Sequence, residues 1–260
     1  RAEFGQVFVS GDFENAEVCL FGCETEDPII LDAYYSGKNI HDINTRTLFN
    51  LEPDSILWNP GRMAAKKMQF GRYQYGSGLR TMFRKILLEC PGLKLTYADL
   101  EDADARWWEA HPCAKAWDER MTAQALKDRI VFNEFGRARI FLGNAGDVPR
   151  AAKNFRIQSA CASIINRATL RMLARRDAEA PNARMVMQVH DQVIFMAPAA
   201  EAPAMARIIR EELERPFLYK GIERILRAGM EWGPSYGEFV DIKGPVPDEV
   251  PADRVETPEI

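Results

Sequence analysis

Two periodicities divide the chain. Short runs of β-branched and aromatic residues bounded by turn formers predict strands, while apolar residues recurring every three or four positions predict helices. Gln6-Val-Phe-Val-Ser-Gly11 predicts a strand ending at Asp12, with helices following near 15–25, 27–36 and 41–51. Asn59-Pro60 has the form of a helix start, with Asn as N-cap and Pro at the first helical position. On the helix it begins, Arg62, Lys66 and Phe70 fall at i, i+4 and i+8 and share one face. Gly76-Ser-Gly78 breaks this pattern before helices near 79–89, 98–109 and 112–126. Arg129–Asn133 and Ala138–Leu142 predict two short strands, and a long helix from Pro149 to about Arg175 carries Arg150, Asn154 and Gln158 as a second polar stripe. Two apolar runs between Met185 and Phe195 then meet head-on at His190-Asp191, followed by a helix over 202–213 and a strand over 224–231. The order of elements predicts a mixed α/β chain.

With 260 residues and 47% hydrophobic content, the chain can bury one large core or two smaller ones. It contains no run of 18 apolar residues, and residues 1–20 lack the form of a signal peptide, so a soluble cytoplasmic protein with no membrane partner is expected. Cys19, Cys23, Cys90, Cys113 and Cys161 lie mostly in helical apolar settings without a repeated Cys-x-x-Cys pair, and read as reduced core residues rather than zinc ligands. Proline and acidic residues crowd 241–260, which predicts an extended or disordered tail.

The net charge of −4 conceals two basic segments: residues 61–88 hold seven Lys/Arg and no acid, and residues 136–176 hold nine Lys/Arg and one acid. Local neutralisation of phosphate, not overall charge, sets affinity for a polyanion, so these segments favour a nucleic-acid partner over merely solvated helix faces. Asp12 and Asp191 each stand at a strand end. A turn-forming role would suffice for either alone; two together suit a hard divalent cation such as Mg²⁺, which needs carboxylate oxygens held in strict geometry.

Four clusters in this order resemble the motifs of family A DNA polymerases. Asp12-Phe-Glu-Asn-Ala-Glu17 resembles the first palm motif, and Arg62-x-x-x-Lys66-x-x-x-Phe70-Gly71 the fingers helix. Arg150-x-x-x-Asn154-x-x-x-Gln158 resembles the helix that follows, and Gln188-Val-His190-Asp191 the third motif. The resemblance implies an α/β (α+β) fold: a polymerase palm with an antiparallel sheet plus a mostly helical fingers subdomain, with thumb and exonuclease domain absent. It divides the chain into palm (1–51), fingers (52–135), palm again (136–240) and the tail.

The resemblance further implies template-directed addition of dNMPs to a primer 3′-hydroxyl. Asp12, Asp191 and the Phe13 carbonyl would hold two Mg²⁺ ions, with Mn²⁺ as a substitute, and Lys66 would donate a proton to pyrophosphate. Arg62, Lys66, Phe70, His41, Asn15 and Tyr75 would bind the dNTP, and Glu17 would crowd the ribose 2′ side. Primer-template DNA would meet Arg150, Asn154, Gln158, Gln188, His190, Arg137 and Arg139. A separate polypeptide would supply the thumb, the remaining palm and an exonuclease, in bacterial or phage-infected cytoplasm.

Three residues depart from the family pattern. Gln74 stands four residues after Phe70, where a tyrosine is usual, with Tyr73 and Tyr75 on either side; Gln192 replaces an acid after Asp191; Cys19 replaces an arginine. The first two support an alternative, a DNA-binding subunit with weakened catalysis. A single-subunit RNA polymerase is the third reading, and Glu17 opposes it.

Overall fold

The computed structural model describes residues 1–255, and close packing divides the chain into two units. Arg1–Ala16 and everything from Cys161 onward form the first, and Glu17–Ala160 the second, so the breaks fall after residues 16 and 160. The last five residues of the expected acidic tail lie outside the described residues.

The first unit is built on a five-stranded antiparallel sheet. Its strands are β1 (Gln6–Phe13), β4 (Arg184–Val189), β5 (Gln192–Pro198), β8 (Ala228–Gly233) and β9 (Val240–Asp241), in the order β4-β5-β1-β8-β9. β1 is longer than expected, and Asp12 lies inside it with Gln192 and Gly229 opposite. Side chains alternate across a strand. Val7, Val9 and Gly11 therefore face one side, where α9 (Ala202–Leu213) packs against β1, β5 and β8. Phe8, Ser10 and Asp12 face the other, where Phe8 joins Ala2, Ile194 and Met196 in a small apolar cluster. The C-terminal part of α8 (Val148–Glu179) is tied to α9 by Arg171, which donates to Glu212 at 2.6 Å. The strand expected over 224–231 is instead split: β7 (Ile222–Arg224) closes a hairpin with β6 (Phe217–Tyr219), and β8 starts at Ala228. Leu226 is buried between them, as is Ala228 at the start of β8, so the apolar run continued past a real break. Beyond β9 the chain stays docked, since Ile242 is buried and its N–H donates to Met230 O at 2.7 Å.

The second unit is mostly helical: α1 (Ala16–Thr25), α2 (Pro28–Tyr35), α3 (Ile40–Phe49), α4 (Trp58–Lys67), α5 (Leu79–Glu89), α6 (Tyr97–Ala110) and α7 (Pro112–Asp128), with the hairpin β2 (Ile130–Phe132) and β3 (Ala138–Ile140) and the start of α8. α4 begins one residue before Asn59 with Leu57 as its cap, so Asn59 is not the N-cap and Pro60 sits within the first turn, where its missing N–H is still harmless. α4 passes at Met68 into a π-helical turn that runs to Gln74. A buried polar chain fixes this region: Trp107 Nε1 donates to Asn44 Oδ1 at 3.0 Å, and Asn44 Nδ2 to Gln69 Oε1 at 2.7 Å. Asp27 caps α2 and meets His111 at 3.0 Å in a fully buried pair. None of the five cysteines, all among the described residues, forms a disulfide. No helix among the described residues is long and apolar enough to cross a membrane.

Gly11 marks the tightest approach of α9 to the sheet. A β-carbon there would lie 2.3 Å from Ile209 Cγ2 and 2.9 Å from Leu213 Cδ1. Gly11→Val, although favourable for strand propensity, is expected to cost about 1–3 kcal/mol through overpacking. Urea unfolding measures this, and an unchanged midpoint would show that α9 is not seated as described.

Candidate active site

The central strand collects an acidic face on the first unit. Ser10 and Asp12 project from β1 on the side away from α9; Gln192 lies opposite Asp12 on β5, and Glu231 lies opposite Ser10 on β8. Asp241 of β9 in turn pairs with Glu231. β4 and β5 are joined by the two residues His190 and Asp191, with His190 at φ 55, a left-handed conformation that His tolerates better than most residues. Asp191 is thereby brought beside Asp12. A cavity of about 750 Å³ opens here, lined in part by Asp12, Gln192, Glu231, Asp241 and Lys243.

The electrostatics of this face are unfavourable without a counter-charge. Asp12 keeps part of its carboxylate in solvent, yet partial burial raises its pKa from 3.8 to about 6, with further upward pressure from Asp191 and Glu231. Burial also raises Asp191. Glu231 is raised by burial and then by Asp241. Neighbouring carboxylates that resist ionisation are the donors that a hard divalent cation stabilises, so this pair fits such an ion. No group of three or more His, Cys, Asp or Glu among the described residues is gathered to hold a metal. Gln192 is engaged elsewhere, donating to Ser10 Oγ at 2.9 Å. Gln188, also in this unit, donates to Asn166 Oδ1 at 3.0 Å, and His190 is exposed.

The second unit carries a basic cluster. Arg62 and Lys66 sit one turn apart on α4, as the spacing predicts. Phe70 lies in the π turn, not on a continuous α-helix, and its ring is 5.7 Å from that of His41. His41 is 5% exposed, and no hydrogen-bond partner reaches its Nδ1 among the described residues. Burial, then Lys66 and Arg62, hold its pKa down at about 4. Arg62 Nε donates to Asp42 Oδ1 at 2.5 Å, so an internal carboxylate already occupies this cation. Asn15 (φ 53) precedes Glu17 in the chain, and the Tyr75 hydroxyl donates to Glu17.

A groove of about 430 Å³ in the same unit is lined by Arg137, Arg139, Asn154 and Gln158, four of the expected DNA contacts. Asn154 Oδ1 is buried there without a partner among the described residues. Arg150 is exposed, pairs with Asp147 at 3.3 Å and does not line the groove. Sequence reasoning missed Glu231, Asp42 and Lys153. Glu231 was visible as the acid inside an otherwise apolar strand, and Asp42 as the acid beside His41. Lys153 gave no signal, because its buried pairing with Asp118 at 2.5 Å joins distant parts of the chain.

The His41 environment has a measurable consequence. The unfolded chain takes up a proton near pH 6.5, whereas folded His41 does so only near 4, so between these values the unfolded state binds more protons. Its contribution to stability is complete above pH 6.5 and is lost as pH falls towards 4. His41→Gln should flatten this part of the stability profile, and the His41 ring resonances should titrate near 4; a midpoint near 6.5 would contradict the burial and charge described.

The family model for DNA polymerase family A matches residues 1–238. DNA polymerase I of Treponema pallidum is 28% identical over 250 residues, covering 92% of this chain and 24% of that protein. The thermostable DNA polymerase I of Thermus aquaticus is 25% identical over 240 residues, covering 89% of this chain and 27% of that one. The chain thus spans about a quarter of the length of these relatives. The POL domain of Pol1 from M. smegmatis, solved in complex with DNA primer-template and dNTP, shares the fold, with a TM-score of 0.75 at 20% identity over 88% of this chain and 40% of that one. With nearly its whole length matched, this chain belongs to DNA polymerase family A.

Proposed function

We propose that this chain performs the nucleotidyl-transfer chemistry of a template-directed DNA polymerase, adding dNMPs to a primer 3′-hydroxyl. The observation that carries this reading is the Asp12–Asp191 pair: partial burial, and then Asp191 beside it, raises the Asp12 pKa to about 6. A binding module gains nothing from paired carboxylates beside phosphate, which they repel. In this reading Asp12, Asp191 and the Phe13 carbonyl hold two Mg²⁺ ions, with Mn²⁺ as a substitute. Bound there, the ions would supply Lewis-acid stabilisation of charge on the attacking and leaving oxygens.

The remaining roles fall to the chain's own groups. Arg62 and Lys66 bind the triphosphate, Arg62 by exchanging Asp42 for phosphate oxygens; Lys66, exposed at the end of its turn, also donates a proton to the departing pyrophosphate. Neutral His41 adds a hydrogen-bond donor without another full charge, and Phe70 and Tyr75 offer apolar faces to sugar and base. Asn15 sets the turn into α1, and Glu17 on that helix excludes a ribose 2′-hydroxyl. Arg137, Arg139, Asn154 and Gln158 contact primer-template DNA along their groove, with Arg150, Gln188 and His190 as further contacts.

Primer extension with Mg²⁺ and dNTPs, with and without any co-purifying polypeptide, tests this. Asp12→Asn and Asp191→Asn should each lower kcat by at least about 100-fold, the scale on which electrostatic stabilisation of a transition state acts. Equal extension by the unaltered chain and both variants would remove these carboxylates from the chemistry. Independently, Glu17→Ala should increase ribonucleotide incorporation, and unchanged sugar preference would remove Glu17 from that role.

A further inference from the structure

The hairpin β2–β3 carries Arg139 and, in its turn, Arg137, yet it has little means of holding its own position. Each strand is three residues long, all of β3 is exposed, and an isolated two-stranded hairpin is marginally stable in water. The placement of both arginines therefore comes from elsewhere. Asn133, directly after β2, clamps Arg137 through the backbone: its N–H donates to Arg137 O at 2.8 Å, and its Oδ1 accepts from the Arg137 N–H at 2.9 Å and from the Phe135 N–H at 3.0 Å. Two N–H groups can be met only by the carbonyl oxygen of an amide, so the amide nitrogen is turned away from the loop. It donates to Ser159 Oγ of α8 at 3.0 Å.

Two further contacts join the same partners. Arg156, one turn before Ser159 on the same side of α8, donates to Phe132 O and is itself held by Glu24 at 2.6 Å. Phe141, buried just beyond β3, meets Phe155 of α8 edge-on with ring centroids 6.3 Å apart, and the Arg139 guanidinium lies 5.2 Å from the centre of the Phe141 ring. Arg137 and Arg139 thus form one wall of the groove of about 430 Å³, and Asn154 and Gln158 of α8 form the other. Asn133 and Ser159, 4% and 8% exposed, are set too deeply to meet a duplex themselves.

We infer that the Asn133 amide and the Ser159 hydroxyl bolt the hairpin to α8 and thereby fix the spacing of the groove walls, which makes both of them positioning residues for DNA binding. The functional half rests on the reading of this groove as a primer-template contact, whereas the bolt stands on the hydrogen bonds alone. Phosphates recur at a regular spacing along a strand, so cations already held at a set distance from Asn154 and Gln158 engage them without first having to be ordered.

The test is equilibrium binding of the full chain to a labelled primer-template without nucleotide, over a range of KCl concentrations. Ser159→Ala should weaken binding roughly five-fold, the scale of one hydrogen bond, and Asn133→Ala at least as much. The two together should cost no more than Asn133→Ala alone. If Asn133→Ala fails to fold, Ser159→Ala carries the comparison. Arg137→Ala with Arg139→Ala should weaken binding further and lower the slope of log K against log salt by about two. In that background Ser159→Ala should cost nothing more, a dependence that a general loss of stability would not show. Unchanged affinity in Ser159→Ala, or an equal loss with and without the arginines, overturns the positioning role. Amide hydrogen exchange judges the bolt independently of DNA. Ser159→Ala should speed exchange at Phe135 and Arg137 several-fold, and unchanged exchange overturns the bolt even if the groove binds DNA. If both arginines can be removed without loss of affinity, the groove reading and the positioning role fall together, and exchange still decides the bolt. Binding that persists without any primer extension defeats the polymerase reading and leaves this inference standing.

Discussion

The partial burial of Asp12, together with its repulsion by neighbouring carboxylates, is the constraint that the rest of the first unit has to meet. Partial burial raises Asp12 first, and Asp191 and Glu231 press it further, although part of its carboxylate stays in solvent. A strand left to itself would twist or slip to relieve that repulsion, and slipping by one residue would turn every side chain to the opposite face. β1 cannot slip, because Val7 and Val9 are fully buried on its other face and Gly11 admits α9 at a distance no side chain would allow. The apolar face supplies the stability and the polar face carries the charge. Arg171, Arg175 and Arg215 reinforce the apolar side by gripping Glu212 of α9, a buried acid.

The second unit solves a different problem, fixing cations and aromatics on a mostly helical scaffold. Its buried interior is unusually polar. The Trp107–Asn44–Gln69 chain links α6, α3 and the π turn, and Arg72 adds a two-pronged contact to Asp104 of α6 at 3.0 and 2.9 Å. Buried hydrogen bonds of this kind specify one arrangement more sharply than apolar contacts, which tolerate sliding. The π turn is therefore held from several sides. His41 shares a neighbourhood with Arg62 and Lys66, and burial first, then their positive charge, keeps the imidazole neutral.

Much of this was legible in the residues. Helix positions followed from apolar spacing, and α5 and α9 were read to the residue, because Gly78, Pro91 and the flanking acids punctuate them clearly. The hairpin at His190-Asp191 was legible because two strand-forming runs left no room for anything but a tight turn. Propensity misled at Asn59, where a good capping residue lies just inside a helix begun by tertiary packing. The split of the 224–231 run was hidden because Leu226 is apolar in a loop that is itself buried. The π turn left one trace, the spacing between Phe70 and Tyr75. Lys153 could not be placed, since its role comes from pairing across many residues, which local pattern does not encode.

The edge strand β4 also bears on how the protein behaves in solution. Val186 and Met187 are exposed on a strand that has a neighbour on one side within its sheet, and such an edge invites pairing between molecules. The register shift between Met185 and Met187 interrupts the regular spacing of its hydrogen-bonding groups. Arg184 adds a charged side chain at its start, paired with Glu3. An irregular, charged margin resists sheet-to-sheet growth, so the same hairpin that presents Asp191 is built to keep concentrated protein from polymerising through its own backbone.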